Sequence, residues 1–277
     1  MAETHSGAPA SPLTPREAVA AMHITAPSER NPKLAGLLAA ANADTQLKAR
    51  WHAAQITAER LGMSDHSWVH LRIVVNSALR VFRLLRQRGV RSSLEVDYGL
   101  EATDAEVVIA GACLLHDLGM SIHRTDHEAF SLFLAADCLD GLLARVYEDP
   151  ERTIVASEVM HAIIGHRKGG VPLTLEGGIV RVADALDMEH GRARVAFETR
   201  LPNIHSLSAA AIDDVRIMPG EQRTIRVEID MNNSAGVFQV DQLLASKLRG
   251  SGLEDHIEVV AQIEAEHEKR LLTVYRI

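Results

Sequence analysis

The sequence predicts a mainly α chain, a helical bundle with a small α+β appendage at its C-terminal end. Three observations carry this expectation. The texture is rich in alanine and leucine, with 47% apolar residues and only 4% aromatics, which favours helices over sheets. Apolar residues recur at helical spacing from Pro32 to Met188. After about residue 205 the pattern changes to strict alternation, as in Thr224-Ile225-Arg226-Val227-Glu228-Ile229-Asp230.

In order along the chain, residues 1–30 are rich in Ala, Pro, Ser and Thr without a sustained period, and read as a mostly disordered tail. Residues 31–204 read as the helical unit and 205–277 as the appendage. The first helix carries Leu34, Leu37, Leu38 and Ala41. A second runs through Gln46–Arg60 and stops at Gly62, and Ser64 or Asp65 can cap the third, which ends near Gly89. The segment Arg91–Thr103 reads as a polar loop. Thr103 or Asp104 then caps a helix that is apolar nearly all round, Val107 to Leu115, as a central bundle helix is. Further helices are expected at Glu128–Ala144, Pro150–Gly165 and Leu175–Met188, the last after the Gly169-Gly170-Val171-Pro172 connection. In the appendage, Ile257–Ala265 alternates, Leu271–Ile277 is strand-like, and Val240, Leu243, Leu244 and Leu248 mark a helix.

The net charge of −8 gives no general basic face, which argues against long nucleic acid as a partner. A local basic pocket for a small phosphorylated ligand remains compatible with it. Cys113 and Cys138 read as small buried hydrophobes, and so few cysteines fit a reducing cytoplasm. The N-terminus lacks the features of a secretory signal, and the longest apolar run, Val107 to Leu115, is too short to span a bilayer. A cytoplasmic location is expected. No phosphate-binding glycine loop, nucleophile elbow or Cys-x-x-Cys pair is present.

The chemistry is concentrated in His116-Asp117, where the driest helix ends in an ionisable pair. Burying an unpaired carboxylate costs several kcal/mol, and a divalent cation removes that cost by taking carboxylate oxygen and imidazole nitrogen as ligands. Alone, such a pair reads more readily as a helix-dipole histidine and an aspartate capping the next element. Its companions change the balance. His70 lies on an apolar helix, His166 ends another, and Asp184 sits inside the apolar Ile179–Leu186. One His or Asp from each of several helices is how bundles build metal sites.

The order His70, His116-Asp117, Asp184 resembles the HD superfamily of metal-dependent phosphohydrolases. His70-Leu-Arg-Ile resembles its opening helix. Leu114-Leu115-His116-Asp117-Leu118-Gly119-Met120 resembles its signature, with Met120 where lysine is common, and Ile179–Leu186 resembles its closing helix. The similarity covers roughly residues 60–190. It implies that His70, His116, Asp117 and Asp184 bind one ion. By the same resemblance His127 and His166 are candidates for a second ion, with Asp117 bridging. The gap from Asp117 to His127 is short for binuclear relatives, and His123 and His161 compete for these two slots. His66, one turn before His70, is a substrate-side donor or a residue without a role. Among nearby cations, Arg124, Arg167 and Lys168 come first as phosphate partners, ahead of Arg181, Arg192 and Arg194.

The expected activity is metal-assisted hydrolysis of a phosphoester or phosphoanhydride in a small nucleotide-like or phosphorylated metabolite, using one or two divalent ions of Mn, Fe, Zn, Ni or Co. Asp117 is then both ligand and catalytic residue. Two alternatives stay open: an HD-type diiron oxygenase with the same ligands, and a non-catalytic HD-like ligand sensor. In the latter the alternating strands of the appendage bind a partner or pair across a two-fold in a homodimer.

Overall fold

The computed structural model describes residues 14–63, 65–188 and 204–263. Its body is a helical bundle: α1 (Pro15–Ala21), α2 (Pro32–Ala43), α3 (Thr45–Leu61), α4 (Trp68–Gln87), α5 (Ala102–Leu115), α6 (His127–Leu143), α7 (Glu151–Gly165) and α8 (Leu175–Leu186). A short helix, α9 (Ile204–Ala210), leads into β1 (Ile212–Pro219), β2 (Ile225–Met231) and β3 (Ile257–Ile263).

The all-round apolar pattern puts α5 at the centre. It is flanked by α2, α4, α7 and α8, and every residue from Asp104 to Leu115 is buried. Helix ends follow local chemistry. The Asp44 carboxylate accepts from the backbone of Gln46 and Leu47, and α3 ends at left-handed Gly62. Ser67, rather than Ser64 or Asp65, caps α4 by accepting from Val69 N–H at 3.1 Å. Asp65 instead accepts from Ser67 N–H at 2.8 Å, and Ser64 lies outside the described residues.

Three expectations need correction. From residue 14 the N-terminal stretch is not a disordered tail. Thr14 and Glu17 form a capping box, and Met22 and Ile24 bury in the main core, where Asn42 binds both backbone groups of Ile24. Residues 1–13 lie outside the described residues. The polar segment 91–103 is not a plain loop. Leu94 is fully buried in a π-helical turn, Leu94–Tyr98, and its N–H and that of Ser93 just before it donate to the buried Glu176 carboxylate. Finally, α5 begins at Ala102, with Asp104 accepting from Glu101 N–H inside its first turn.

The three strands form one sheet in the order β1-β2-β3. β1 and β2 are antiparallel, with Val215 opposite Ile229 and Ile217 opposite Val227. β2 and β3 are parallel, with Ile225 beside Ile257 and Val227 beside Val259. The alternation read in β2 is realised residue by residue: Ile225, Val227, Ile229 and Met231 face inward. Outward, Arg216 bridges Asp214, Glu228 and Asp230. Among the described residues β3 is an edge strand, and its alternation fades, because Ala261, Gln262 and Ile263 are exposed. The crossover from β2 to β3 contains the helix marked by Val240, Leu243, Leu244 and Leu248, formed as a π-helical stretch, Gln239–Ala245, and one turn, Ser246–Leu248. The strand-like run 271–277 lies outside the described residues.

The inner face of the sheet joins the same hydrophobic cluster as the bundle. Ile212, Ile225, Val227, Ile229, Leu244, Leu253 and Ile257 share it with α4, α5 and α8. Cys113 and Cys138 are free thiols in that core. No helix among the described residues is long and apolar enough to cross a membrane.

Candidate metal centre

Five helices, α4 to α8, bring their ionisable side chains to one interior point. α4 delivers His70, which is fully buried on the face that also carries Leu71 and Val74. α5 runs dry to His116, and the carbonyls left open at its end are taken by side chains. Trp51 Nε1–H donates to the Leu114 carbonyl at 2.9 Å, and His116 Nδ1–H donates to the Cys113 carbonyl at 2.9 Å. Asp117 then leaves the helix at φ −101° and ψ 8°, the sparsely allowed region where many active-site residues sit.

The turn after Asp117 is held by close approach. Ser131, on α6, donates to the His116 carbonyl at 2.6 Å and accepts from Gly119 N–H at 2.8 Å. A β-carbon at Gly119 would lie 1.9 Å from the His127 carbonyl oxygen, so only glycine lets α6 start here. Met120 turns away from the centre into a small cluster with Ala54 and Ala58. The short loop therefore reaches its target: His127 opens α6 with Nε2 3.3 Å from Asp117 Oδ1. His166, at the end of α7, donates from Nδ1–H to the Ile163 carbonyl at 2.5 Å. α8 supplies Asp184, whose Oδ1 lies 3.5 Å from His70 Nε2 and 3.8 Å from His116 Nε2.

Two sets of atoms result, each within 4.8 Å of one another: His70, His116 and Asp117, and Asp117, His127 and His166. Asp117 belongs to both. Its Oδ2 is 3.6 Å from His70 Nε2 and 3.4 Å from His116 Nε2, while Oδ1 faces His127. His70 and His116 have their Nδ1 atoms committed, which aims both Nε2 atoms at the carboxylates. Those two Nε2 atoms are buried without a hydrogen-bond partner. Orphaned, convergent imidazole nitrogens beside two carboxylates form a donor set that could hold a divalent transition ion.

Electrostatics of the metal-free protein point the same way. Burial disfavours charge on His116, but Asp117 and Asp184 outweigh it and push its pKa up to about 10. Burial opposes charge on Asp117 as well, and His116 and His127 nevertheless hold its carboxyl well below the usual range. His166 is driven far down by burial, with Lys247 adding to the effect, so its imidazole is neutral.

Two residues at the centre escaped sequence reasoning. Asp187 accepts from His70 Nδ1–H at 2.5 Å and fixes the ring. Its position three residues after Asp184, on the same face of a turn, was a usable signal. Lys247, from the β2–β3 crossover, lies with Nζ 3.2 Å from Asp184 Oδ2, and no sequence pattern links the two.

The competing histidines do other things. His123 is exposed and accepts from Thr125 N–H at 3.0 Å, and His161 accepts from Leu173 N–H at 2.9 Å. His66 is buried, with its ring 5.7 Å from that of His70. Arg124 packs against the His127 ring, with Nη1 2.7 Å from Nδ1. Arg167 and Lys168 are exposed just after His166. Arg181 is buried and donates to the carbonyls of Gly165, Arg167, Ser246 and Lys247, which makes it a structural staple. Arg192 and Arg194 lie outside the described residues.

A helical bundle with an interior His/Asp cluster at its helix ends defines a class of metal-binding helical domains. The chain belongs to the HD-domain family, a superfamily of metal-dependent hydrolases: the family model matches residues 75–189. The match contains His116, Asp117, His127, His166 and Asp184, while His70 lies five residues before its start. The chain is also similar to an uncharacterized protein of Methanocaldococcus jannaschii, with 36% identity over 207 residues, covering 75% of this chain and 80% of that protein.

Proposed function

We propose that this protein is a phosphohydrolase that cleaves a phosphoester or phosphoanhydride of a small nucleotide-like or phosphorylated metabolite at a one- or two-ion centre. The observation that carries the metal assignment is the pair of buried, partnerless Nε2 atoms on His70 and His116, both facing Asp117 and Asp184. Membership of the HD family supports the hydrolytic reading.

In this reading His70, His116, Asp117 and Asp184 hold one ion. His127 and His166 would help hold a second, with Asp117 belonging to both candidate ligand sets. When bound, Mn, Fe, Zn, Ni or Co supplies a water acidic enough to be deprotonated near neutral pH and a Lewis acid for phosphoryl oxygens. The chain's own residues do the rest. The Nδ1 bonds of His70, His116 and His166 fix each ring with its Nε2 aimed inward. The dry walls of α5 and α8 lower the local dielectric and strengthen charge–charge terms. Arg124, beside the His127 ring, and Arg167 and Lys168, exposed just after His166, are the cations that would meet an anionic substrate. The acidic net charge favours a small phosphorylated metabolite over long nucleic acid.

The test pairs a metal count with an anaerobic screen of phosphorylated metabolites. Asp117→Ala is expected to lose bound metal and phosphate release together, since both ion positions share this carboxylate. Full metal and full turnover in that variant would refute the assignment. Product formation that requires oxygen and releases no phosphate would replace hydrolysis with oxidation.

A further inference from the structure

Lys247 comes from outside the HD match, and three observations show that its position is built. Arg181 spends its guanidinium on the carbonyls of Ser246 and Lys247, at 3.3 and 2.9 Å, and on those of Gly165 and Arg167. This clamps the lysine's backbone to the end of α7. Gly178 lets the following loop lie directly on α8, because a β-carbon there would be 2.1 Å from the Ser251 carbonyl oxygen. The residues just before Lys247, Gln239–Ala245, are π-helical, a geometry found in short pieces and frequently at functional sites.

The side chain is mostly buried, at 18% exposure, and ends at the metal centre. Its ammonium donates to the His166 carbonyl and to Asp184 Oδ2. Asp184 Oδ1 is thereby left toward His70 and His116. An ammonium carries three N–H donors. Two have acceptors, and the third has none among the described residues. A desolvated cation with a spare donor, flanking two candidate ion positions, is suited to an anionic oxygen.

We propose that Lys247 is a substrate-contacting residue, which uses its remaining N–H to bind an oxyanion of the phosphoryl group at the metal centre and so makes the C-terminal unit part of the active site. The proposal rests on the phosphohydrolase reading above. It differs from the roles assigned to Arg124, Arg167 and Lys168, which are exposed, because Lys247 reaches the ligands from the protein interior.

The test uses the full chain loaded with Mn2+, comparing wild type, Lys247→Met and Lys247→Gln. Glutamine keeps an N–H for the His166 carbonyl and loses the charge. The readouts are metal content by mass spectrometry, binding of inorganic phosphate by calorimetry, and the melting transition. Unchanged metal content with phosphate binding weakened about 10- to 100-fold is expected, the range for one charge-assisted hydrogen bond. Phosphate binding equal to wild type in a folded variant overturns the proposal and leaves the hydrolase reading standing. Loss of metal overturns it too, because Lys247 would then serve only to hold Asp184. Unfolding of both variants overturns it by making the lysine a fold determinant. A metal-loaded wild type that neither binds nor releases phosphate removes the hydrolase reading and this role with it.

Discussion

In the proposed metal centre, His116 would couple protonation to metal binding. Without an ion its ring is buried between Asp117 and Asp184, which hold a proton on it up to about pH 10. A cation needs the Nε2 lone pair, so it must displace that proton. Below about pH 10 metal affinity is therefore expected to rise with pH, about tenfold per unit for one displaced proton, and to level off above. Calorimetry in buffers of different ionisation enthalpy would report this as about one proton released per ion at neutral pH. An affinity that does not change between pH 7 and 9 would contradict it. The His70 ring is held in place by a different partner, Asp187.

Among the elements, the turn from α5 to α6 decides whether Asp117 and His127 meet. Its narrowest point is Gly119, against the His127 carbonyl and the Ser131 backbone. Gly119→Ala forces α6 away and strains both Ser131 bonds. It is expected to cost at least about 2 kcal/mol, as overpacking against backbone does, and to lower metal content, because His127 moves with α6. Denaturant melts and a metal count check this, and a variant as stable and as metal-rich as wild type would sink it. The same close approach explains why a ten-residue separation suffices between Asp117 and His127. The turn is compact because Met120 leaves the site for the α3 side and Ser131 ties the two helices together.

Across the whole molecule, sheet and bundle share one core, so they should unfold together. Ile229→Asp places a carboxylate at a position with no exposure and no cationic partner among its core neighbours. The expected loss is more than about 3 kcal/mol, the scale for an uncompensated buried charge. Helical signal and metal should be lost in one transition. A variant whose bundle melts as in wild type, with only the sheet disordered, would show that the two parts are energetically separate. The clamp of Arg181 on the β2–β3 crossover gives the same coupling locally, next to Asp184.

The sequence alone determined the helical body, the buried α5, the alternating β2 and the set of candidate ligands. These rest on local rules: periodicity, capping and the cost of leaving His or Asp in an apolar helix without a partner. It read the N-terminal segment as tail and 91–103 as loop. Order there comes from distant partners, Asn42 for Ile24 and Glu176 for Leu94. The antiparallel strand β1 was not anticipated, since pairing with β2 rather than its own pattern defines it. Only the tertiary structure brought Asp187 to His70 and Lys247 to Asp184, and separated His127 and His166 from His123 and His161. The physical reason is that spacing along a chain fixes which face of an element a side chain occupies, whereas convergence on one point depends on how whole helices pack.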